Sequence, residues 1–244
     1  MKMVRTILTA AAMSMMFAGV FAQSQQAIDA ELKKGNAVFL VVTDNARDLA
    51  ATKDIAVRAK ALCARSAVVT LDRLDKANAA VIRKYGLTST KEPMILVIAS
   101  NGVATNGYTK KEATPQLLAE EIPTPRQSDA LLAFEQNKAA IVVMYRKGMA
   151  DKAAAVEACK KACAEMKGGA ITVEVDLDDK TEQPFIKLLK PSKTAKGTQV
   201  HVFNKAGDII ETYTAPFSAA KIAASARQAE APCCPGGNSK DCKK

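Results

Sequence analysis

The sequence predicts an α/β protein with two tandem domains, each a mixed sheet flanked by helices. Three observations support this fold class: helical and strand-like segments alternate, their order occurs twice, and the proline-rich segment Ile122–Pro125 separates the two passes. A strand, a helix and a second strand in succession indicate a right-handed parallel crossover, and closely connected strands add antiparallel pairs. The predicted domains are residues 23–125 and 126–230, with the proline-rich segment as the linker.

The first pass contains four helical and four strand-like segments. Continuous apolar runs rich in Val and Ile indicate buried strands, and apolar residues three and four positions apart indicate helices. The second helix should bury Ile55, Ala59 and Leu62, and Asn101-Gly102 predicts a tight turn between strands. The predicted elements are helix 27–34, strand 37–42, helix 50–65, strand 67–71, helix 78–85, strands 94–99 and 104–108, and helix 114–121.

The second pass repeats this order of elements. Asp72 at the end of one strand matches Asp176, and Ile95–Gly102 aligns with Val200–Gly207. Similarity at a fixed spacing of about 100 residues indicates an internal repeat. The predicted elements are helix 128–136, strand 140–145, helix 151–166, strand 171–175, helix 181–189, strands 199–203 and 209–213, and helix 218–228.

Composition excludes several classes of protein. Of the 244 residues, 48% are hydrophobic, 25% are charged and 5% are aromatic, which is a balance typical of folded domains. The formal net charge is +10, but acidic and basic residues are interspersed and aromatic residues are few. Nucleic acid is therefore not an expected partner.

Residues 1–22 have the pattern of a secretory signal peptide. Lys2 and Arg5 precede the apolar run Ile7–Phe21, and small residues, Val20 and Ala22, occupy the two positions that a signal peptidase recognises. No later stretch approaches the roughly 20 apolar residues of a membrane span. The mature protein is therefore predicted to be periplasmic or secreted, without a membrane span, in a compartment where cysteine pairs can oxidise.

The order of elements resembles the thioredoxin fold in both halves. The segment Tyr85–Val97 strengthens the resemblance, because it looks like the end of a helix followed by the loop whose proline is cis and opens the next strand. Pro93 would be that proline. The resemblance implies two tandem thioredoxin-like domains, and a surface at Pro93 and Glu92 where exposed backbone pairs with an extended peptide.

The chain departs from the catalytic members of this family at the redox motif. In those proteins a Cys-x-x-Cys pair follows the first long strand, where the start of a helix lowers the thiol pKa. Alignment of the strands places residues 49–52 and 150–153 there, and neither segment contains a cysteine. Thr198 stands where the first half has Pro93. The chain therefore resembles the non-catalytic domains of protein disulfide isomerases.

Cys159 and Cys163 lie one turn apart on a predicted helix, in a stripe with Val156 and Met166. This pattern fits two small core residues. Alternatively, the two thiols bind a soft metal ion, or one of them bonds to another part of the chain. Cys63 fits packing within the corresponding helix of the first half. His201 is the single histidine, and its place in a strand is typical of a structural residue.

Residues 231–244 form a Cys-rich tail without apolar periodicity, so burial cannot explain its three cysteines. Cys233, Cys234 and Cys242 could surround Cu or Zn, with nearby lysines favouring their thiolates. Equally, Cys242 could form a disulfide with Cys233 or Cys234 and leave one thiol for exchange. Cys233 and Cys234 are therefore the candidates for a redox nucleophile.

The sequence carries no phosphate-binding loop, metalloprotease helix or nucleophile elbow. We therefore expect an exported, non-catalytic binding or scaffold protein that holds a peptide or protein partner in a cleft between domains. The alternatives are a thiol–disulfide oxidoreductase that uses the tail cysteines and a soft-metal binding protein that uses the tail.

Overall fold

A computed structural model describes residues 23–44, 46–88, 92–192 and 196–229. The predicted signal peptide and the Cys-rich tail lie outside these ranges. Contacts group the described chain into two compact units: the first runs to Leu96 and includes Gly107–Ala119, and the second comprises Val97–Asn106 and the chain from Glu120. Within the described ranges, no helix combines the length and the apolar character of a membrane span.

The first domain contains a four-stranded sheet and four helices among the described residues. Its elements are α1 (Gln23–Lys33), β1 (Ala37–Thr43), α2 (Ala46–Leu62), β2 (Ser66–Asp72), α3 (Ala79–Lys84), β3 (Met94–Ile98), β4 (Ala104–Thr109) and α4 (Pro115–Glu120). The strand order is β2-β1-β3-β4, and β1 and β2 run parallel. Every side chain of β1 is buried, as its continuous apolar run predicts for an interior strand.

The second domain repeats this arrangement. Its described elements are α5 (Pro125–Glu135), β5 (Ala139–Tyr145), α6 (Lys152–Glu165), β6 (Ala170–Asp176), α7 (Gln183–Leu189), β7 (Gln199–Phe203), β8 (Ile209–Tyr213) and α8 (Ala219–Ala226). The strand order is β6-β5-β7-β8. β5 is parallel to β6 and antiparallel to β7, and β7 is antiparallel to β8, so the sheet is mixed.

The predicted fold class is confirmed. In each domain a parallel β-α-β unit is followed by a short helix and two further strands, and the first strand of the unit lies inside the sheet. This is the arrangement that the resemblance to thioredoxin implied, and the chain has two such domains in tandem.

The repeat between the domains extends to individual hydrogen bonds. The carboxylates of Asp72 and Asp176, at the ends of β2 and β6, each accept from the backbone N–H two residues further on, at 2.8 and 2.9 Å. Three residues later, Asp75 and Asp179 each cap a short 3-10 helix in the same way. The two domains therefore share local structure as well as topology.

The second sheet is buried on both faces. Ile141 and Val143 of β5 alternate with Val142 and Met144, and the two pairs belong to different hydrophobic clusters. One cluster includes residues of α6 and α8, and the other includes residues of α5 and α7. The sheet therefore packs between helices on both of its faces.

α2 differs from its prediction in both its start and its buried face. It begins at Ala46, four residues earlier than predicted, and Leu62 is 56% exposed. The buried residues are Thr52, Ala56 and Ala59, spaced four and three apart. At 3.6 residues per turn, Leu62 lies about 90° around the helix from this stripe. The assignment of Leu62 to the core was therefore wrong.

The predicted linker contributes to the start of α5. Thr124 is the N-cap, because its side chain accepts a hydrogen bond from the backbone N–H of Gln127, and Pro125 is the first helical residue. Proline suits this position, since it lacks an N–H that would otherwise have no partner in the helix. Pro125 therefore marks the beginning of a helix.

Candidate functional site

A groove of about 460 Å³ opens at one edge of the second sheet. Arg146 follows β5, Leu177 follows β6 and Gln199 begins β7, so the groove lies where the two parallel strands end. Crevices at the carboxyl ends of parallel strands are where α/β folds usually bind ligands. α7 and the loops beside it contribute Met149, Gln183, Ile186, Lys187, Lys190, Pro191 and Ser192.

Gln199 positions the loop that forms one wall of the groove. Its buried side-chain amide accepts a hydrogen bond from the backbone N–H of Ser192 at 2.9 Å and donates one to the carbonyl of the same residue at 3.2 Å. Lys190, which ends α7, has a positive φ of 49°, so the chain turns sharply before Ser192. The wall is therefore built from hydrogen-bonded backbone.

Asp151 lies in the segment that aligns with the redox motif, and Thr198 lies where the first domain has Pro93. Asp151 is the N-cap of α6, and Thr198 directly precedes β7, as Pro93 precedes β3. The backbone N–H of Thr198 lies 3.1 Å from both carboxylate oxygens of Asp151, and the Thr198 hydroxyl donates to the carboxylate at 2.8 Å. A Cβ at Gly197 would collide with the same carboxylate. An anchored carboxylate therefore stands beside the groove instead of a thiol.

The groove carries positive charge. Arg146 lines the groove and forms an exposed ion pair, at 3.2 Å, with Asp178, which is not part of the lining. Lys187 and Lys190 are exposed, and neither has a carboxylate partner within the described part of the chain. The wall also has apolar surface from residues such as Ile186, so charged and apolar groups face the same space.

In the first domain, Arg73 spans the corresponding edge of the sheet. Arg73 follows β2 as Leu177 follows β6, and its Nε donates to the carboxylate of Asp44, which follows β1. Its Nη2 donates to the carbonyl of Glu92 at 2.8 Å. The arginine side chain is only 7% exposed. Leu177 has no polar end that could span the edge, and the second domain has a groove there.

The backbone beside Pro93 is engaged within the chain. Its carbonyl accepts from the backbone N–H of Lys110 at 2.9 Å, and the carbonyl of Glu92 accepts from the arginine that spans this edge. The cis peptide bond of the described chain joins Ala215 and Pro216, so the expected cis bond before Pro93 is not observed. Peptide binding at Pro93 and Glu92 stays a prediction.

The segment at 49–52, predicted to match the redox motif in the first domain, lies inside α2 because that helix begins at Ala46. Thr52 is fully buried, and its hydroxyl donates to the carbonyl of Asp48 at 2.8 Å. The carboxylate of Asp48 pairs with Lys110 at 3.2 Å. The start of this helix therefore presents a carboxylate, as the start of α6 does.

The three described cysteines are free thiols in environments that disfavour the thiolate. Burial, together with the neighbouring Cys163, raises the pKa of Cys159 to about 12. Burial also raises the pKa of Cys163, against the opposing effect of a hydrogen bond with Thr172, and the pKa of Cys63. Cys163 packs against the cluster that contains Cys159. These surroundings favour packing over metal binding or thiol exchange.

The described chain contains no group of three or more His, Cys, Asp or Glu side chains arranged to hold a metal ion. The stronger sequence candidates for Cu or Zn, Cys233, Cys234 and Cys242, lie outside the described residues. Metal binding and disulfide formation in the tail both stay predictions.

His201 is a buried residue with an unmet hydrogen-bonding atom. It lies in β7 between Val142 of β5 and Thr212 of β8 and is only 5% exposed. Its Nδ1 has no hydrogen-bond partner among the described residues, and burial lowers the pKa of the ring. The repeat places Leu96 at the same position of the first domain. The surroundings therefore suit a neutral core residue.

Comparison with known proteins assigns no function to this chain. The sequence matches no family model and no curated protein. One similar solved structure, the first two thioredoxin domains of Eps1p from Naumovozyma dairenensis, is 10% identical with a TM-score of 0.32, over 86% of this chain and 97% of that chain. The same two domains of Saccharomyces cerevisiae Eps1p are 11% identical with a TM-score of 0.31, over 84% of this chain and 96% of that chain. Human ERp44 in a zinc-bound form is 13% identical with a TM-score of 0.35, over 73% of this chain and 51% of that chain.

Sequence reasoning missed the groove of the second domain. Arg146, Lys187 and Lys190 have no motif, and only the fold brings them to one edge. A signal was available in the repeat, because Arg73 of the first half aligns with Leu177 of the second. The second half has no long polar side chain at this position, so it lacks the residue that spans the edge of the sheet in the first domain.

Proposed function

We propose that the chain is an exported, non-catalytic thioredoxin-like protein that binds an extended peptide or an unfolded segment of a protein in the groove of its second domain. The observation that carries this proposal is the groove itself, at the carboxyl edge of β5 and β6, with the Asp151–Thr198 contact beside it. A site built from a fixed carboxylate and hydrogen-bonded loops can hold a ligand but cannot exchange a disulfide.

The dimensions and lining of the groove fit a peptide. Its volume of about 460 Å³ lies within the roughly 300–1,000 Å³ of typical ligand pockets. Ile186 and Pro191 offer apolar surface, while Gln183 and Ser192 offer polar groups. An extended chain presents both kinds of group on alternate residues, which is the combination that this wall can match.

A second candidate function belongs to the Cys-rich tail. Because burial raises the pKa of Cys63, Cys159 and Cys163, thiol exchange or soft-metal binding would fall to the tail cysteines. In this proposal the tail adds a disulfide, or a Cu or Zn site, to a peptide-binding protein. Export through the signal peptide at 1–22 would place the tail in an oxidising compartment, such as a periplasm.

The proposal is tested with the mature chain from Gln23 and a panel of short, unstructured, fluorescein-labelled peptides that are acidic, neutral or basic. Binding is measured by fluorescence anisotropy. Ser192→Trp places a large ring in the groove from its exposed rim and should weaken binding at least about tenfold, which corresponds to about 1.4 kcal/mol. Lys205→Trp, on the exposed turn between β7 and β8, is the matched control and should bind as the parent does.

Two results would contradict the proposal: no peptide of any charge binds, or Ser192→Trp and Lys205→Trp bind alike.

The alternative, a thiol–disulfide oxidoreductase that uses the tail cysteines, is tested with a model disulfide. Turnover of a model disulfide above a thiol-blocked control, lost when Cys233, Cys234 and Cys242 are all replaced by Ser, would establish the tail as an oxidoreductase site.

A further inference from the structure

We propose that the groove of the second domain selects peptides that carry a carboxylate next to an apolar side chain. This inference rests on the proposed peptide-binding function and specifies the class of ligand. The observation behind it is the juxtaposition of Arg146, Lys187 and Lys190 around a partly apolar groove whose lining contains no aspartate or glutamate.

The three cations approach the groove from two elements. Lys187 lies in the last turn of α7, and Lys190 is the residue that ends the helix; both line the groove. Arg146 follows β5 at the edge of the sheet. A carboxylate placed between α7 and the end of β5 would therefore meet positive charge from both sides.

Two carboxylates, Asp151 and Asp178, lie near the groove but outside its lining, so the net positive charge at the groove comes from Lys187 and Lys190. Asp151 accepts hydrogen bonds from the backbone and the hydroxyl of Thr198. Asp178 pairs with Arg146, but both partners of that pair are more than half exposed, at 61% and 55%. Exposed pairs contribute at most about 1 kcal/mol, so a ligand carboxylate can compete for the arginine.

Apolar side chains next to the cations supply the second half of the specificity. Leu177 and Ile186 lie in the groove wall and are also buried against the second hydrophobic cluster, so their positions are fixed. Pro191 and Met149 add surface without a charge. A side chain such as leucine, placed beside the carboxylate of the ligand, would cover this surface and exclude water from the ion pairs.

The decisive probes are three unstructured labelled peptides of equal length with the same two leucines, flanked by glutamates, glutamines or lysines. With the mature chain at low salt, the glutamate peptide should bind about tenfold more tightly than the glutamine peptide, and the lysine peptide more weakly than both. The advantage of the glutamate peptide should shrink as salt is raised, because screening weakens pairs between exposed charges.

Charge-changing variants of Lys187 and Lys190 test whether these two lysines set the preference among the three peptides. Lys187→Gln with Lys190→Gln should remove most of the advantage of the glutamate peptide over the glutamine peptide, because only Arg146 remains, and should leave the affinity for the glutamine peptide unchanged. Lys187→Glu with Lys190→Glu should reverse the preference toward the lysine peptide. Lys160→Gln with Lys205→Gln removes the same charge from exposed positions away from the groove and should keep the parent's preference.

The possible failures are distinguishable. If the glutamate and glutamine peptides bind equally, or if the variants of Lys187 and Lys190 keep the parent's preference, charge selection is overturned while peptide binding stands. If none of the three peptides binds, the proposed function is overturned as well. A thermal unfolding curve for each variant shows whether a loss of affinity comes from loss of the fold.

Discussion

Leu177 and Asp151 decide what the second domain can do at the edge of its sheet. Arg73, the counterpart of Leu177, spans that edge in the first domain by donating to Asp44 and to the carbonyl of Glu92. With leucine at this position no such network can form, and the edge has a groove. Asp151 fixes the loop before β7 through Thr198. The replacement of an arginine by a leucine between the repeats therefore accompanies a spanned edge in one domain and a groove in the other.

His201 offers a test at the level of a single atom. Its buried Nδ1 lacks a partner, and the repeat has leucine at the same position. An unmet buried polar group costs about 1–3 kcal/mol, so His201→Leu should raise the free energy of unfolding of the second domain by about 1 kcal/mol at pH 7.5. Hydrogen exchange of peptides from β7 measures this change, and peptides from β1 in the same sample serve as the control.

The same variant should remove a pH dependence. Burial lowers the pKa of His201 below its ordinary value of 6.5, so the unfolded chain takes up a proton before the folded chain does. The free energy of unfolding is therefore unaffected by this titration above pH 6.5 and decreases as the pH falls toward the folded pKa. Between pH 7.5 and 5, protection of β7 should decrease in the parent and much less in His201→Leu. Equal decreases would rule out this assignment.

Helix starts are where sequence reasoning and structure diverge most. The strands were predictable almost to the residue, because apolar runs such as that of β1 have clear ends. α2 begins at Ala46, before the first residue of its periodic apolar pattern. The residues at its start extend the helix without such a pattern, so the sequence did not predict them as helical. The groove was not predictable, because its charged residues come from elements that only the tertiary fold brings together.

Glu182 stabilises the start of α5 from another element. Its buried carboxylate accepts from the Thr124 hydroxyl and, at 3.0 Å, from the backbone N–H of Arg126. A carboxylate at a helix N-terminus also interacts favourably with the helix dipole. Glu182→Ala leaves both donors without this acceptor, so it should lower the free energy of unfolding by about 2 kcal/mol in urea melts.

Two further variants test this account of Glu182. Glu182→Gln should fall between the parent and the alanine variant, because an amide oxygen can still accept one hydrogen bond. Glu157→Ala removes an exposed carboxylate that pairs with Lys161 at 3.4 Å, and it should change stability by less than about 1 kcal/mol. An effect of Glu182→Ala no larger than that of Glu157→Ala would contradict the capping role.

Across the whole molecule, the two domains keep one scaffold and differ at the edge of the sheet where the groove of the second domain opens. Paired aspartates hold the same turns after β2 and β6, so the backbone at each edge is built alike. The differences are in side chains that follow the strands, and in the residue before the third strand, which is Pro93 in one domain and Thr198 in the other. A repeat of this kind can change the surface at one edge of its sheet and keep the same core.

The cysteines should also differ in their rate of alkylation according to their place in the molecule. Burial raises the pKa of Cys63, Cys159 and Cys163, most of all that of Cys159, to about 12. The thiolate is the form that reacts with N-ethylmaleimide, so these residues should be alkylated slowly in the native protein, and Cys159 only after unfolding. The cysteines after residue 230, where the sequence offers no core to bury them, should react first in reductant and chelator. Peptide mass analysis against a urea-unfolded control gives the order, and labelling of Cys159 at the rate of the tail would refute it.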